Sequence, residues 1–323
     1  MIDTETQSAA NPPVLDGSWE RPNRSPIVAA ILALLGVGAI YFNAQSLMMV
    51  PVMIVSNAFE GANEFSGDLL ERMGRIFEQL ALPIQIILVI SQYLFMLVPA
   101  WWLVRRLHSS QPWSYMRLRG VSVIEIVLAV AITLAVIPFS TFIADEITRF
   151  FDIPEWFANL GVQLFTAHSP VEFVWLVLVI AVTPAICEEA LFRGYAQRTL
   201  ERKYGAKAFW IVGFIFGLYH MNPIGLISLS LLGIIFGYFA YRSKSMLPGM
   251  AAHFTNNFFV VLLLYTGMEI GGVDLVALER IPLWMVGASA LATAVLLLLY
   301  HLVTQKKIGS EELPISESEP QSA

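Results

Sequence analysis

Eight apolar runs, most of them near the length of a membrane span, are the feature that most constrains this chain. At 1.5 Å rise per residue, a helix of about 20 residues crosses about 30 Å of hydrocarbon. The runs extend from Ile27 to Val55, Leu82 to Val104, Val121 to Ala144, Val171 to Ala196, Ala206 to His220, Ile224 to Tyr241, Leu247 to Thr266 and Pro282 to Val303. The fifth is short, and the first is long enough to tilt or bend at Pro51. The pattern predicts an all-α membrane protein of about eight transmembrane helices in a bundle with interfacial helices. Only 14% of the residues are charged and 57% are hydrophobic, which excludes a water-exposed globular enzyme. A formal charge of -6 leaves no basic footprint, so no nucleic-acid partner is expected. Cys187, the one cysteine, can form neither an intrachain disulfide nor a thiolate metal cluster.

The organisation reads as a single multi-pass domain over residues 27–303, with a polar tail at 1–26 and another at 304–323. The first tail holds Pro12, Pro13 and Pro22 and no cleavage pattern, so it reads as a floppy segment ahead of an uncleaved first span. The second holds Glu311, Glu312, Glu317 and Glu319 and reads as disordered. With the amino terminus inside, fourteen Lys and Arg residues fall in inner connections, whereas only Arg72, Arg75, Arg149 and Arg280 fall in outer ones. This asymmetry puts both termini in the cytoplasm and the bundle in the plasma (inner) membrane. Apolar stripes at helical spacing, Phe65, Leu69, Met73, Ile76 and Leu80, then Trp156, Leu160 and Leu164, are expected to lie flat at the interface. Gly213 with Gly217, and Gly233 with Gly237, let helix backbones approach closely.

Against this apolar background a charged group costs at least about 2.5 kcal/mol at mid-membrane, so the placement of acids, bases and amides is informative. They cluster on three spans: Glu188, Glu189 and Arg193 on the fourth, His220 on the fifth, and His253, Asn256 and Asn257 on the seventh. Glu189 and Arg193 are four apart and can pair on one face. Glu188 points about 100° away and is left without that partner, as a general base requires. His253 and Asn257 share a face and can donate to one point, as an oxyanion demands, and Asn256 is nearly on that face. If the chain turns near Gly205, Glu188 and His220 lie at similar height, about 22 to 26 Å from the turn. Pro184, one turn before Glu188, frees a backbone carbonyl. Any one set could be a structural ion pair or a histidine bonded to a carbonyl; three sets at compatible depth favour a catalytic site. Cys187 reads as a small buried thiol, and Glu125 and His301 can reach the interface.

These residues spell EExxxR, FxxxH (Phe216 and His220) and HxxxN (His253 and Asn257) in order, the pattern of a known family. The block from Val171 to Thr266 resembles the CPBP (CAAX protease and bacteriocin-processing, or Abi) intramembrane endopeptidases, related to the type II CAAX prenyl endopeptidase. The resemblance implies a helical bundle around a catalytic cavity entered from the cytoplasmic side. By position, Glu188 would activate water with help from His220, Glu189 and Arg193 would brace the helix, and His253 and Asn257 would bind the oxyanion. It also admits zinc, held by Glu188, His220 and His253. A metal-free reaction requiring no cofactor is preferred, because Asn257 is a poor zinc ligand. The function expected is an intramembrane endopeptidase cutting near the cytoplasmic membrane face. Its partners are the lipid bilayer and a peptide or membrane-protein substrate, lipidated or not. The alternatives are a non-catalytic immunity or scaffold protein that retains the motifs, and a proton-coupled carrier, which the lack of internal repeats disfavours.

Overall fold

The computed structural model describes residues 12–20, 24–59, 80–151, 162–270, 273 and 280–305. Within them the chain forms eight long helices: α1 (Pro26–Phe59), α2 (Ala81–His108), α3 (Val123–Phe150), α4 (Pro170–Tyr204), α5 (Lys207–Tyr219), α6 (Leu226–Ser243), α7 (Leu247–Thr266) and α8 (Leu283–Val303). Among the described residues the sole β feature is one antiparallel bridge, between Ile270 and Val273. Seven of the helices are long and apolar enough to cross a membrane, and the chain is a multi-pass membrane protein. The exception is α5, whose 13 residues give about 20 Å of helix, short of the hydrocarbon thickness.

The helices are sorted by two solvents. On α1, Ala30, Ala33, Leu34, Val37 and Tyr41 recur at helical spacing and are buried, while Leu32, Leu35, Ile40 and Leu47 on the other faces are exposed. An exposed apolar belt of this kind suits lipid, which does not drive helices together, so close packing must hold the bundle. The tightest case is α5 against α6. A Cβ on Gly213 would lie 2.5 Å from the Ile234 backbone nitrogen, and one on Gly233 would lie 2.6 Å from the Gly213 carbonyl oxygen. Only glycines at both positions permit this crossing.

At its start, α4 is fixed by Ser169, whose side chain accepts the Glu172 N–H, and by Pro170, which has no N–H to lose. Its 35 residues amount to about 50 Å, so it outreaches the hydrocarbon core before the chain turns at Gly205 into α5. Two stretches, Val177–Val182 and Ala190–Gln197, are wound more widely than an α-helix and flank the segment Thr183–Glu189. Such local widening re-aims side chains and recurs at functional sites.

The amino-terminal segment departs from the floppy reading over residues 16–20. The end of α2 leaves carbonyls without helical partners. Gly17, Ser18 and Trp19 donate their N–H groups to the carbonyls of His108, Arg106 and Leu107 at 3.1, 3.0 and 2.8 Å. Glu20 then accepts both guanidinium nitrogens of Arg202 at 2.6 and 2.7 Å and Nδ1–H of His108 at 2.6 Å. A polar composition suggested disorder, but these polar groups fill vacancies in α2 and α4. The same end of the bundle holds Arg117 paired with Glu201 at 2.7 Å, and Arg119 donating to the Lys244 carbonyl at 2.6 Å. Cations from connections the sequence read as inner therefore gather together. The stripe from Phe65 to Ile76, Trp156 and Leu160, and the acidic tail from Gly309 to Ala323 lie outside the described residues; Leu80 is buried at the start of α2.

Candidate active site

Glu188 and Glu189 are adjacent on α4, and helix geometry sends their side chains to different partners. Glu189 Oε1 accepts from Arg193 Nη1 at 2.7 Å and faces His253 Nδ1 at 3.0 Å. The Glu189 and Arg193 side chains are both 0% exposed. The second guanidinium nitrogen, Nη2, donates to the Gly233 carbonyl at 2.9 Å, and the guanidinium carbon lies 4.6 Å from the centre of the Phe216 ring. A buried ion pair is tolerable only when its remaining valences are met, and here α6 and an aromatic face contribute to that. On α7, Gly249 keeps room for the carboxylate: a Cβ there would lie 2.9 Å from Glu189 Oε2.

Glu188 turns into the space between the other two motifs. Its Oε2 stands 4.0 Å from His220 Nε2 and 4.0 Å from His253 Nε2. The tautomers follow from the opposite ring nitrogens. His220 Nδ1 lies 2.8 Å from the Phe216 carbonyl, which can only accept, so the proton is on Nδ1. His253 Nδ1 faces the Glu189 carboxylate in the same way. In neutral rings both Nε2 atoms are then acceptors, aimed at a third acceptor on Glu188. Three converging lone pairs require a shared proton, a water or a cation. Phe216 sets the spacing of the two rings, packing edge-on to His220 at 4.7 Å and to His253 at 5.6 Å.

The donor types are those of a zinc site, with each imidazole oriented through its far nitrogen. The spacing is not. Ligand atoms 2.0–2.1 Å from a tetrahedral zinc lie only about 3.3 Å apart, against the two separations of 4.0 Å found here. Among the described residues no group of three His, Cys, Asp or Glu side chains is arranged to hold a metal ion.

The three motifs face a cavity of about 470 Å³ whose wall includes Tyr41, Gln92, Glu188, His220, His253 and Asn257. A larger groove of about 670 Å³ between α3, α5, α6 and α8 is lined mainly by apolar side chains and contains none of the motif residues. Asn257 lines the same cavity as His253 but spends its amide elsewhere. Its Nδ2 donates to the Ile180 carbonyl at 2.7 Å and its Oδ1 accepts from Asn256 at 3.0 Å. The two α7 groups therefore do not both donate to one point in this state; one Nδ2 hydrogen of Asn257 is left for the cavity. Cys187 is buried in the main apolar cluster. Glu125 is buried as the cap of α3, with Oε1 accepting from Ser122 N and Oγ at 3.2 and 2.9 Å. His301 meets the Tyr238 hydroxyl at 3.2 Å.

Residues 170–259 match the family model described as type II CAAX prenyl endopeptidase Rce1-like. The likeness runs from the start of α4 into α7. The match covers under a third of the chain, includes every residue of the three motifs, and agrees with the family resemblance they carry. A match to that family on membrane-spanning helices supports, in general terms, a CAAX-type intramembrane protease with a peptide substrate. Neither a curated protein nor a solved structure matches the chain.

Two wall residues, Tyr41 on α1 and Gln92 on α2, lie outside the matched segment and outside the motifs. Gln92 Nε2 lies 3.5 Å from Glu188 Oε1. The available signal is a pair of amides, Gln85 and Gln92, seven residues apart in a largely apolar span. Spacing alone does not say which of the two reaches a site, because both lie on one face and neither belongs to a motif.

Proposed function

We propose that the protein is an intramembrane endopeptidase that hydrolyses a peptide bond near the cytoplasmic face of the membrane, with Glu188 as general base. The observation that carries this reading is the convergence of the Glu188 carboxylate with the far nitrogens of His220 and His253 at 4.0 Å beside a cavity. Glu188 takes a proton from water, and the resulting hydroxide adds to the peptide carbonyl, with His220 holding the water in line. The oxyanion is met by the spare Nδ2 hydrogen of Asn257 and by His253. His253 can donate from Nε2 only as an imidazolium, and the Glu189 carboxylate against Nδ1 is the counter-charge such a ring needs. Collapse of the adduct breaks the C–N bond, and the proton held by Glu188 passes to the leaving amine. Glu189 and Arg193 position His253 and tie α4 to α6. No metal takes part in this proposal, in keeping with the spacing of the acceptors.

The cytoplasmic assignment rests on the gathered cations, which the positive-inside bias places there. The substrate class proposed, a peptide ending in a prenylated CAAX sequence, is taken by analogy from the description of the matched family. The test is cleavage of a farnesylated, quenched fluorogenic CAAX peptide by the protein in liposomes. Glu188→Gln and His220→Ala should each abolish turnover while leaving abundance and thermal unfolding near those of the parent. Retained turnover in both would overturn the mechanism. Comparison of membrane proteomes with active and Glu188→Gln protein, scored for new peptide ends, identifies the natural substrate. If these substitutions change only abundance or partner binding, the non-catalytic scaffold reading holds instead.

A further inference from the structure

From the pairing of α2 with α4, we infer that Gln92 is a positioning residue for Glu188, one supplied from outside the segment that carries the family motifs. The inference rests on the role proposed for Glu188. Two glutamines, Gln85 and Gln92, lie seven residues apart on α2 and so share one face. Their hydrogen bonding differs in a way that separates structure from function. Gln85 spends both ends of its amide: Nε2 donates to the Leu164 carbonyl at 2.8 Å, and Oε1 accepts from Trp175 Nε1 at 2.7 Å. It clasps the start of α4. Gln92 instead faces the cavity wall: its Nε2 lies 3.5 Å from Glu188 Oε1, and the Tyr41 hydroxyl is within hydrogen-bonding reach of the same amide.

A buried amide is costly in a membrane segment, and structural packing alone would favour an apolar residue there. The arrangement has a use at Glu188. A carboxylate rotates freely unless its oxygens are distinguished. With a donor on Oε1, the other oxygen, Oε2, is held toward the two imidazoles, 4.0 Å from each. The contact at 3.5 Å is at the outer limit of a hydrogen bond, as catalytic contacts often are before substrate closes the site. Tightening it fixes the base along the line of attack.

The experiment compares Gln92→Leu, Gln92→Glu and Gln85→Leu in liposomes, using the farnesylated CAAX peptide and thermal unfolding. Gln92→Leu should lower kcat about ten- to hundredfold with KM within about twofold and an unchanged unfolding midpoint, since small misplacements of a catalytic group have effects of this size. Gln92→Glu, of the same shape, puts a second carboxyl against Glu188; the two share a proton, which weakens the base, so it should be at least as slow. Gln85→Leu should do the reverse, lowering the midpoint and keeping kcat. Undiminished kcat in Gln92→Leu or in Gln92→Glu overturns the inference. So does a fall in midpoint in Gln92→Leu that matches Gln85→Leu, a result that needs no substrate. If Gln92→Leu does not fold, Gln92→Met, equally long and without a donor, decides in its place. Turnover retained by Glu188→Gln would instead overturn the assignment of the base, so the two failures are distinguishable.

Discussion

Asn257 on α7 donates its amide to the carbonyl of Ile180 on α4 at 2.7 Å, and that carbonyl is the one to which Pro184, four residues on, can bring no N–H. A proline in a helix frees an acceptor one turn earlier, and in lipid such a group must find another donor. Here the donor comes from a motif residue. The break in α4 is thereby tied to α7 one turn before Glu188.

Asn257→Ala should therefore have two effects. Stability falls by about 1 kcal/mol because a part-buried carbonyl loses its partner. The cleavage rate falls about a hundredfold or more, because the spare amide hydrogen is also the proposed oxyanion donor. Asn256→Ala, which removes a donor to Asn257 but leaves the bond to Ile180, should be milder in both. Thermal unfolding and kcat measured on the same preparations separate the effects. An Asn257→Ala protein with full turnover removes the oxyanion role.

The Glu189–Arg193 pair makes a different prediction because neither side chain is exposed. Arg193→Leu leaves a buried carboxylate uncompensated and should cost about 3–5 kcal/mol, seen as a low unfolding midpoint or poor accumulation in membranes. The double variant Glu189→Leu/Arg193→Leu leaves no unpaired charge and should recover much of that loss. Activity should not recover with it, since His253 Nδ1 no longer has the acceptor that fixes its ring. Recovery of turnover in the double variant would reduce Glu189 to a purely structural partner.

Much of this was legible in the chain. The helix bounds at Leu247 and Thr266 coincide with the hydropathy run, because proline and glycine mark its ends. Equal distances from the turn at Gly205 place Glu188 and His220 at one height, and their side chains meet at 4.0 Å. What escaped has physical reasons. Gln92 shares its helix face with Gln85, and spacing does not say which of the two reaches the site. Residues 16–20 are polar and follow prolines, and the carbonyls they bind lie about ninety positions later, at the end of α2. The partner of Asn257 depends on the local widening of α4 around Pro184, which no fixed 3.6-residue period describes.

The acceptor spacing around Glu188 bears on metal dependence. Purified protein should contain less than one equivalent of zinc per chain, and chelator treatment should leave the cleavage rate unchanged. Elemental analysis beside a rate measurement tests both. Stoichiometric zinc whose removal abolishes cleavage, with zinc addition restoring it, would require the Glu188, His220 and His253 side chains to close by about 0.7 Å onto a metal sphere, the difference between the 4.0 Å separations and a tetrahedral site.

The docked amino-terminal segment makes the pH prediction. Burial alone would raise the Glu20 carboxyl, but hydrogen bonds from His108 and Arg202 outweigh it and hold the group below the usual carboxylate range. Asp16, exposed, is also lowered, through hydrogen bonds from the Ser110 hydroxyl and from the Ser110 backbone N–H, the latter at 2.7 Å. For a carboxyl lowered by folding, the stabilisation is complete above its unfolded value and is lost as pH falls through the folded one. The segment should therefore stay docked through neutral and mildly acidic pH and detach only below the ordinary carboxylate range. Hydrogen-exchange protection of the Gly17, Ser18 and Trp19 amides, corrected for intrinsic rates, reports this directly. Glu20→Gln should lower that protection at neutral pH and shrink the acid step to what Asp16 contributes. An unchanged acid step in Glu20→Gln would assign the whole transition to other groups.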